Sequence, residues 1–261
     1  MESQKTEEPL AGGTNPPLGP VLVSGEQRPF LEHLEELRWR IIRALLWVVL
    51  SAGLVFRFSK EILQWIIQPV GHVVFLTPAE PFLAHFKVAT LGGIILSAPL
   101  LAWEVWGFFS PAIRERERRL VFLFIPSSVG LFFLGGWFCW KFLLPAALKF
   151  FLSFSSPALT PMITIGSYVG FVGWFVVASG IFFQMPIVIL MLVRVGFLSP
   201  WTLMRHWKMA IVAILIFAAI LTPTPDIANQ LLVAVPMTVL YFFSVGLSFL
   251  VRRKNDSLRT N

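Results

Sequence analysis

Carboxylates are scarce in this chain, so their positions carry information: 14 Asp and Glu stand against 21 Lys and Arg. Glu32, Glu35 and Glu36 open the segment Phe30-Leu-Glu-His-Leu-Glu-Glu-Leu-Arg-Trp-Arg40. Glu117 lies in the basic run Arg114-Glu-Arg-Glu-Arg-Arg-Leu120, where its neighbours Arg116 and Arg118 give it only cations. Glu104, in Trp103-Glu-Val-Trp106, falls near the end of an apolar run. Acids of this kind suit a cationic ligand, and arginine most of all, because its planar fork matches a carboxylate. The plainer account of Glu36 is an i,i+4 pair with Arg40. Glu104 either snorkels to the interface or lines a polar cleft.

Gln184 is the other polar group of note. It sits in the 44-residue uncharged stretch from Phe150 to Val193, two residues before Pro186. An amide in hydrocarbon is costly unless it is hydrogen-bonded, and Pro186 frees a backbone carbonyl one turn upstream. The pair is consistent with a lateral docking site for a polar group on a partner helix, or with an amide that bonds inside its own bundle. No catalytic constellation appears: there is no H-E-x-x-H, G-x-S-x-G or phosphate-binding loop. His33, His72, His85 and His206 are too scattered to suggest a metal site, and the single Cys139 excludes an internal disulfide. No cofactor is expected, and the sequence does not read as an enzyme.

The elements that must position these groups are membrane helices. Mean hydropathy is +0.77, with 56% hydrophobic and 13% charged residues; soluble domains carry about 25% charged residues. Six apolar segments are expected, at about 41–57, 88–108, 120–144, 168–194, 208–222 and 231–250. The fifth is short, and Pro236 shortens the sixth. Gly107-Phe-Phe-Ser-Pro111 and Gly196-Phe-Leu-Ser-Pro200 are expected to end the second and fourth spans. Sixteen Lys and Arg fall on one side of this topology and five on the other, which places both termini in the cytoplasm. Residues 1–28, rich in Pro and Gly, read as a tail; 29–254 as one six-helix domain; 255–261 as a second tail.

Nine segments in order resemble the TatC family, the core subunit of the twin-arginine protein translocase. They are His33-Leu-Glu-Glu-Leu-Arg38, Gln68-Pro69, Thr77-Pro-Ala-Glu-Pro-Phe82, Leu96-Ser-Ala-Pro99, Trp106-Gly-Phe-Phe-Ser-Pro-Ala112, Arg116-Glu-Arg-Arg119, Phe183-Gln-Met-Pro186, Leu221-Thr-Pro-Thr-Pro-Asp226 and Ala234-Val-Pro-Met237. The resemblance implies an all-α polytopic fold of six helices in a concave bundle, with helices five and six short. It implies a receptor in the cell inner membrane for twin-arginine signal peptides of folded precursors. TatA- and TatB-type single-span proteins would be its partners, further copies of itself would join the complex, and the proton-motive force would drive transport. By the same resemblance Glu36 and Glu117 belong to the twin-arginine recognition patch, with Glu104, His33 and Arg38 near them. Gln184 and Pro186 fall on a partner-contact position that is often Glu in the family. A neutral amide there can dock a polar group but cannot titrate. Pro69, Glu80, Phe82 and Asp226 fall on periplasmic structural motifs. The competing readings are a secondary transporter of a small cation, which usually shows charged mid-membrane residues and inverted repeats, and a purely structural subunit.

Overall fold

A computed structural model describes residues 27–109, 118–156, 161–222 and 227–257. The described residues are helical throughout save for turns, connecting loops and one isolated parallel bridge between Val74 and Thr164. In a chain this apolar, helices satisfy their own backbone groups, and lipid offers none. The helices are α1 (Gln27–Arg57), α2 (Ser59–Ile67), α3 (Glu80–Phe109), α4 (Arg118–Phe138), α5 (Leu144–Ser153), α6 (Ile165–Phe182), α7 (Met185–Val195), α8 (Pro200–Arg205), α9 (Trp207–Leu221) and α10 (Ile227–Ser257). A one-turn π-helix, Cys139–Leu143, joins α4 to α5.

Five stretches are long and apolar enough to cross a membrane: Leu34–Arg57, Glu80–Phe109, Leu123–Ser153, Ile165–Val195 and Gln230–Leu250. A shorter apolar helix, α9, precedes the last of these in the chain and has 15 residues, about 22 Å at 1.5 Å per residue. The hydrocarbon core is about 30 Å thick, so the short fifth helix expected from sequence is present. The expectation for the sixth needs correction. Pro236 lies inside α10, which continues through it without interruption. A membrane helix tolerates a proline where its neighbours pack around it, and Ala234 and Met237 on either side of Pro236 share one buried cluster with Ile189 of α7 and Ile214 and Ala218 of α9.

Close backbone contacts fix how the helices run. A Cβ on Gly93 would fall 2.7 Å from the Ala52 backbone, and one on Gly107 would fall 2.3 Å from Arg40 Nη1. α1 and α3 are therefore antiparallel, with the start of α1 beside the end of α3. α6 crosses α4 antiparallel, with the Ser179 hydroxyl donating to the Gly135 carbonyl at 2.9 Å. The central core gathers Cys139 of the π-helix, Phe175 of α6, Ile214 and Ala218 of α9, and Met237 and Tyr241 of α10. A second cluster at the far end joins α2, α3 and α6 through Leu63, Ala84, Val88, Ile165 and Val169. Residues 1–26 and 258–261, most of the two expected tails, lie outside the described residues.

Candidate functional site

The start of α1 and the end of α3 bring together two acids and two arginines. Arg40 Nη2 and Nε both donate to Glu36 Oε1, at 2.7 and 3.0 Å. Arg40 Nη1 reaches across to the Glu104 carbonyl at 3.3 Å and to Glu104 Oε2 at 3.5 Å. Arg43 Nη2 stands 3.2 Å from the same Oε2. The i,i+3 and i,i+4 rows of a helix put Glu36, Arg40 and Arg43 on one face, and the antiparallel packing of α3 delivers Glu104 to that face. Burial divides the acids. Glu36 is half-buried, whereas Glu104 is only 8% exposed. A buried carboxylate is tolerable when it is paired and hydrogen-bonded, and two guanidinium groups meet that need here.

Of the two places expected for Glu104, snorkelling to the interface is not what the structure shows: its side chain is buried under α1 in a polar contact with two arginines of this chain. Sequence reasoning paired Glu36 with Arg40, as observed, but missed Arg43 and the cross-helix contact. The sign available was Arg40 and Arg43 on one face within an otherwise apolar helix. Arg38 is exposed and lies on α1 beside this cluster. His33 is also on α1, with its side chain outside the described residues, as is all of Glu117.

Gln184 sits between α6 and α7, where the helix breaks before Pro186 in the first turn of α7. Its Oε1 accepts from the Ser128 hydroxyl, and its Nε2 donates to the Ser128 carbonyl at 2.9 Å. Both ends of the amide are thus bonded within this chain, to α4. The expected docking group is corrected accordingly: the desolvation cost that called for an outside partner is met by Ser128. Pro186 is buried, against the bundle. Ser128 escaped notice because it lies 56 residues upstream. Its sign was the pair Ser127-Ser128 after Pro126 in an apolar run.

At the opposite end, Glu80 staples the loop before α3 to the start of α6. Its two oxygens accept from the Leu76 amide at 2.9 Å and the Gly166 amide at 3.0 Å. Lys87 donates to the Gly166 carbonyl at 2.9 Å, and the Tyr168 hydroxyl to the Ile66 carbonyl at 3.1 Å. Trp65 of α2 stacks on Trp140 with ring centroids 3.9 Å apart. Pro69 is exposed in the turn after α2, and Phe82 is 63% exposed on the outer face of α3. Asp226 lies outside the described residues.

The geometry can be set beside known proteins. A family model described as TatC, Sec-independent protein translocase protein, matches residues 32–236. The TatC protein of Koribacter versatilis is 37% identical over 240 residues, covering 88% of this chain and 88% of its own. That of Aquifex aeolicus is 33% identical over 239 residues, covering 88% of this chain and 99% of its own. A crystal structure of the twin arginine translocase receptor TatC superposes with a TM-score of 0.74 at 33% identity, covering 84% of this chain and 98% of that one.

Proposed function

The chain belongs to the TatC family of Sec-independent protein translocase proteins, and from that premise we propose that it is the signal-peptide receptor of its translocase. It is a multi-pass membrane protein and a component of a protein translocase. In this reading the end of the bundle that carries Glu36 faces the cytoplasm, in the cell inner membrane, with both termini on that side. Glu36 and Glu117 take the two arginines of a twin-arginine signal peptide. TatA- and TatB-type single-span proteins assemble with it, several copies join the working complex, and the proton-motive force drives passage of the folded cargo. The protein itself makes and breaks no covalent bond.

One observation carries the reading. Glu36 is a half-buried carboxylate already engaged with a guanidinium, through two charge-assisted hydrogen bonds of 2.7 and 3.0 Å. Its oxygen is thus set in a place where an arginine fork can reach it. A charge-assisted hydrogen bond contributes about 1.5–3 kcal/mol, so losing either acid should weaken peptide binding about tenfold or more. The test is site-specific crosslinking of the protein in membranes to a twin-arginine signal peptide and to its Lys-Lys analogue. Glu36→Ala and Glu117→Ala are expected to lose the twin-arginine crosslink and export while still inserting. Normal crosslinking by the double variant would overturn the assignment.

A further inference from the structure

Arg40 occupies Glu36 Oε1, one of the two carboxylate oxygens that an arriving guanidinium would address. It is also held on its far side, by the Glu104 carbonyl and Oε2. That second seat is built. Residue 107 has no side chain, and a Cβ there would come within 2.3 Å of Arg40 Nη1. The seat is lined by a buried carboxylate that Arg43 also contacts, at 3.2 Å. Arg40 therefore stands between a half-buried acid on its own helix and a buried acid on α3.

We propose that Arg40 is a resident competitor for Glu36, displaced onto Glu104 when a signal-peptide arginine binds, and that this competition sets the preference for arginine over lysine. The inference rests on the reading of Glu36 given above. The exchange leaves no charge bare: Glu36 trades one guanidinium for another, and Arg40 keeps a carboxylate in the Gly107 notch. It also discriminates. Arg40 presents two N–H donors of one rigid fork to Glu36 Oε1. A peptide arginine can match that fork; a lysine brings a compact, strongly hydrated ammonium and matches it poorly. Lysine and arginine carry equal charge, so the fork supplies the difference.

The experiment measures binding of fluorescent twin-arginine and Lys-Lys signal peptides to the purified full-length protein by anisotropy. Arg40→Gln leaves Glu104 paired with Arg43, so no buried carboxylate is orphaned. It is expected to tighten twin-arginine binding on the order of threefold and Lys-Lys binding on the order of tenfold, narrowing the selectivity. Glu104→Gln removes the second seat, keeps Arg40 on Glu36, and should weaken binding of both peptides about threefold. Gly107→Ala fills the notch with no change of charge and should act in the same direction. Each of these two effects should vanish when combined with Arg40→Gln. Weaker twin-arginine binding by Arg40→Gln, or an unchanged arginine-to-lysine preference, overturns the proposal. If Arg40→Gln does not fold, unchanged binding in both Glu104→Gln and Gly107→Ala overturns it. Glu36→Gln separates the two ideas: wild-type binding there defeats the Glu36 assignment itself, whereas lost binding there with no gain in Arg40→Gln defeats only the competition.

Discussion

Ser128 and Gln184 bond to each other at both ends of the amide, across two helices. Such interhelical bonds contribute about 0.6–2 kcal/mol in a membrane. Ser128→Ala leaves the Gln184 oxygen without its donor, and Gln184→Leu removes the amide altogether. Each is expected to lower thermal stability in detergent, and the double variant to lose less than the sum, because both remove one interaction. Gln184→Glu should be tolerated, since a protonated carboxyl accepts from the hydroxyl and donates to the carbonyl in the same geometry. Signal-peptide binding should stay near wild type in all of them, which a binding assay on the same preparations checks. Glu80 makes a different kind of contact, one carboxylate on two backbone amides from separate segments. Glu80→Ala should speed hydrogen exchange at Leu76 and Gly166 several-fold and leave amides near Glu36 unchanged. Equal exchange in variant and wild type would show that the loop and α6 hold their places without it.

At the level of elements, the contact between α1 and α3 is set by small residues. Gly93 faces the Ala52 backbone at a distance no Cβ can share, whereas Gly53 has nothing within 4 Å of its own Cβ direction. Gly93→Ala should force the two helices apart and destabilise by about 1–3 kcal/mol. Gly53→Ala should be neutral or slightly stabilising, since alanine favours a helix. Thermal unfolding of the two variants side by side makes the comparison. α9 is the other element with a consequence. At 15 residues it falls about 8 Å short of a 30 Å hydrocarbon core, so the bilayer beside it has to thin or the helix has to cross incompletely. Inserting four leucines after Ala213 is expected to impair transport while signal-peptide binding persists. Full transport by that variant would remove any role for the short helix.

For the molecule as a whole, the alternating run of helices collects charge at one end. Arg38, Arg40, Arg43, Arg194, Arg205 and Lys208 lie at the end where α1 starts, and Arg57, Lys60, Lys87, Lys141 and Lys149 lie toward the other. This asymmetry is the cue that orients a membrane protein during insertion. Cys139 is the single cysteine of the chain and is fully buried, so it is shielded from water-soluble reagents. A cysteine at His72 should be labelled by an impermeant maleimide on intact cells. One at Arg205 should be labelled only after the membrane is opened. The reverse pattern would invert the proposed topology.

The number of long apolar segments, their approximate bounds and the shortness of α9 were legible from hydropathy alone. Each depends on a run of neighbouring residues meeting lipid, and that is a local property. The same holds for the Glu36–Arg40 pair, which one helical turn dictates. Pairings between helices were not legible. Gln184 and Ser128 are 56 residues apart, and Arg40 and Glu104 are 64 apart; which faces meet depends on how each helix is rotated and crossed by packing. Two similar motifs show the limit. Gly196 ends α7 in the left-handed conformation at φ 91°, and the Ser199 hydroxyl caps α8 by accepting from the Thr202 amide. Gly107, in nearly the same local sequence, lies inside α3 and makes room for Arg40. A glycine permits both a left-handed turn and a close approach, and only the neighbouring helix decides which one is used.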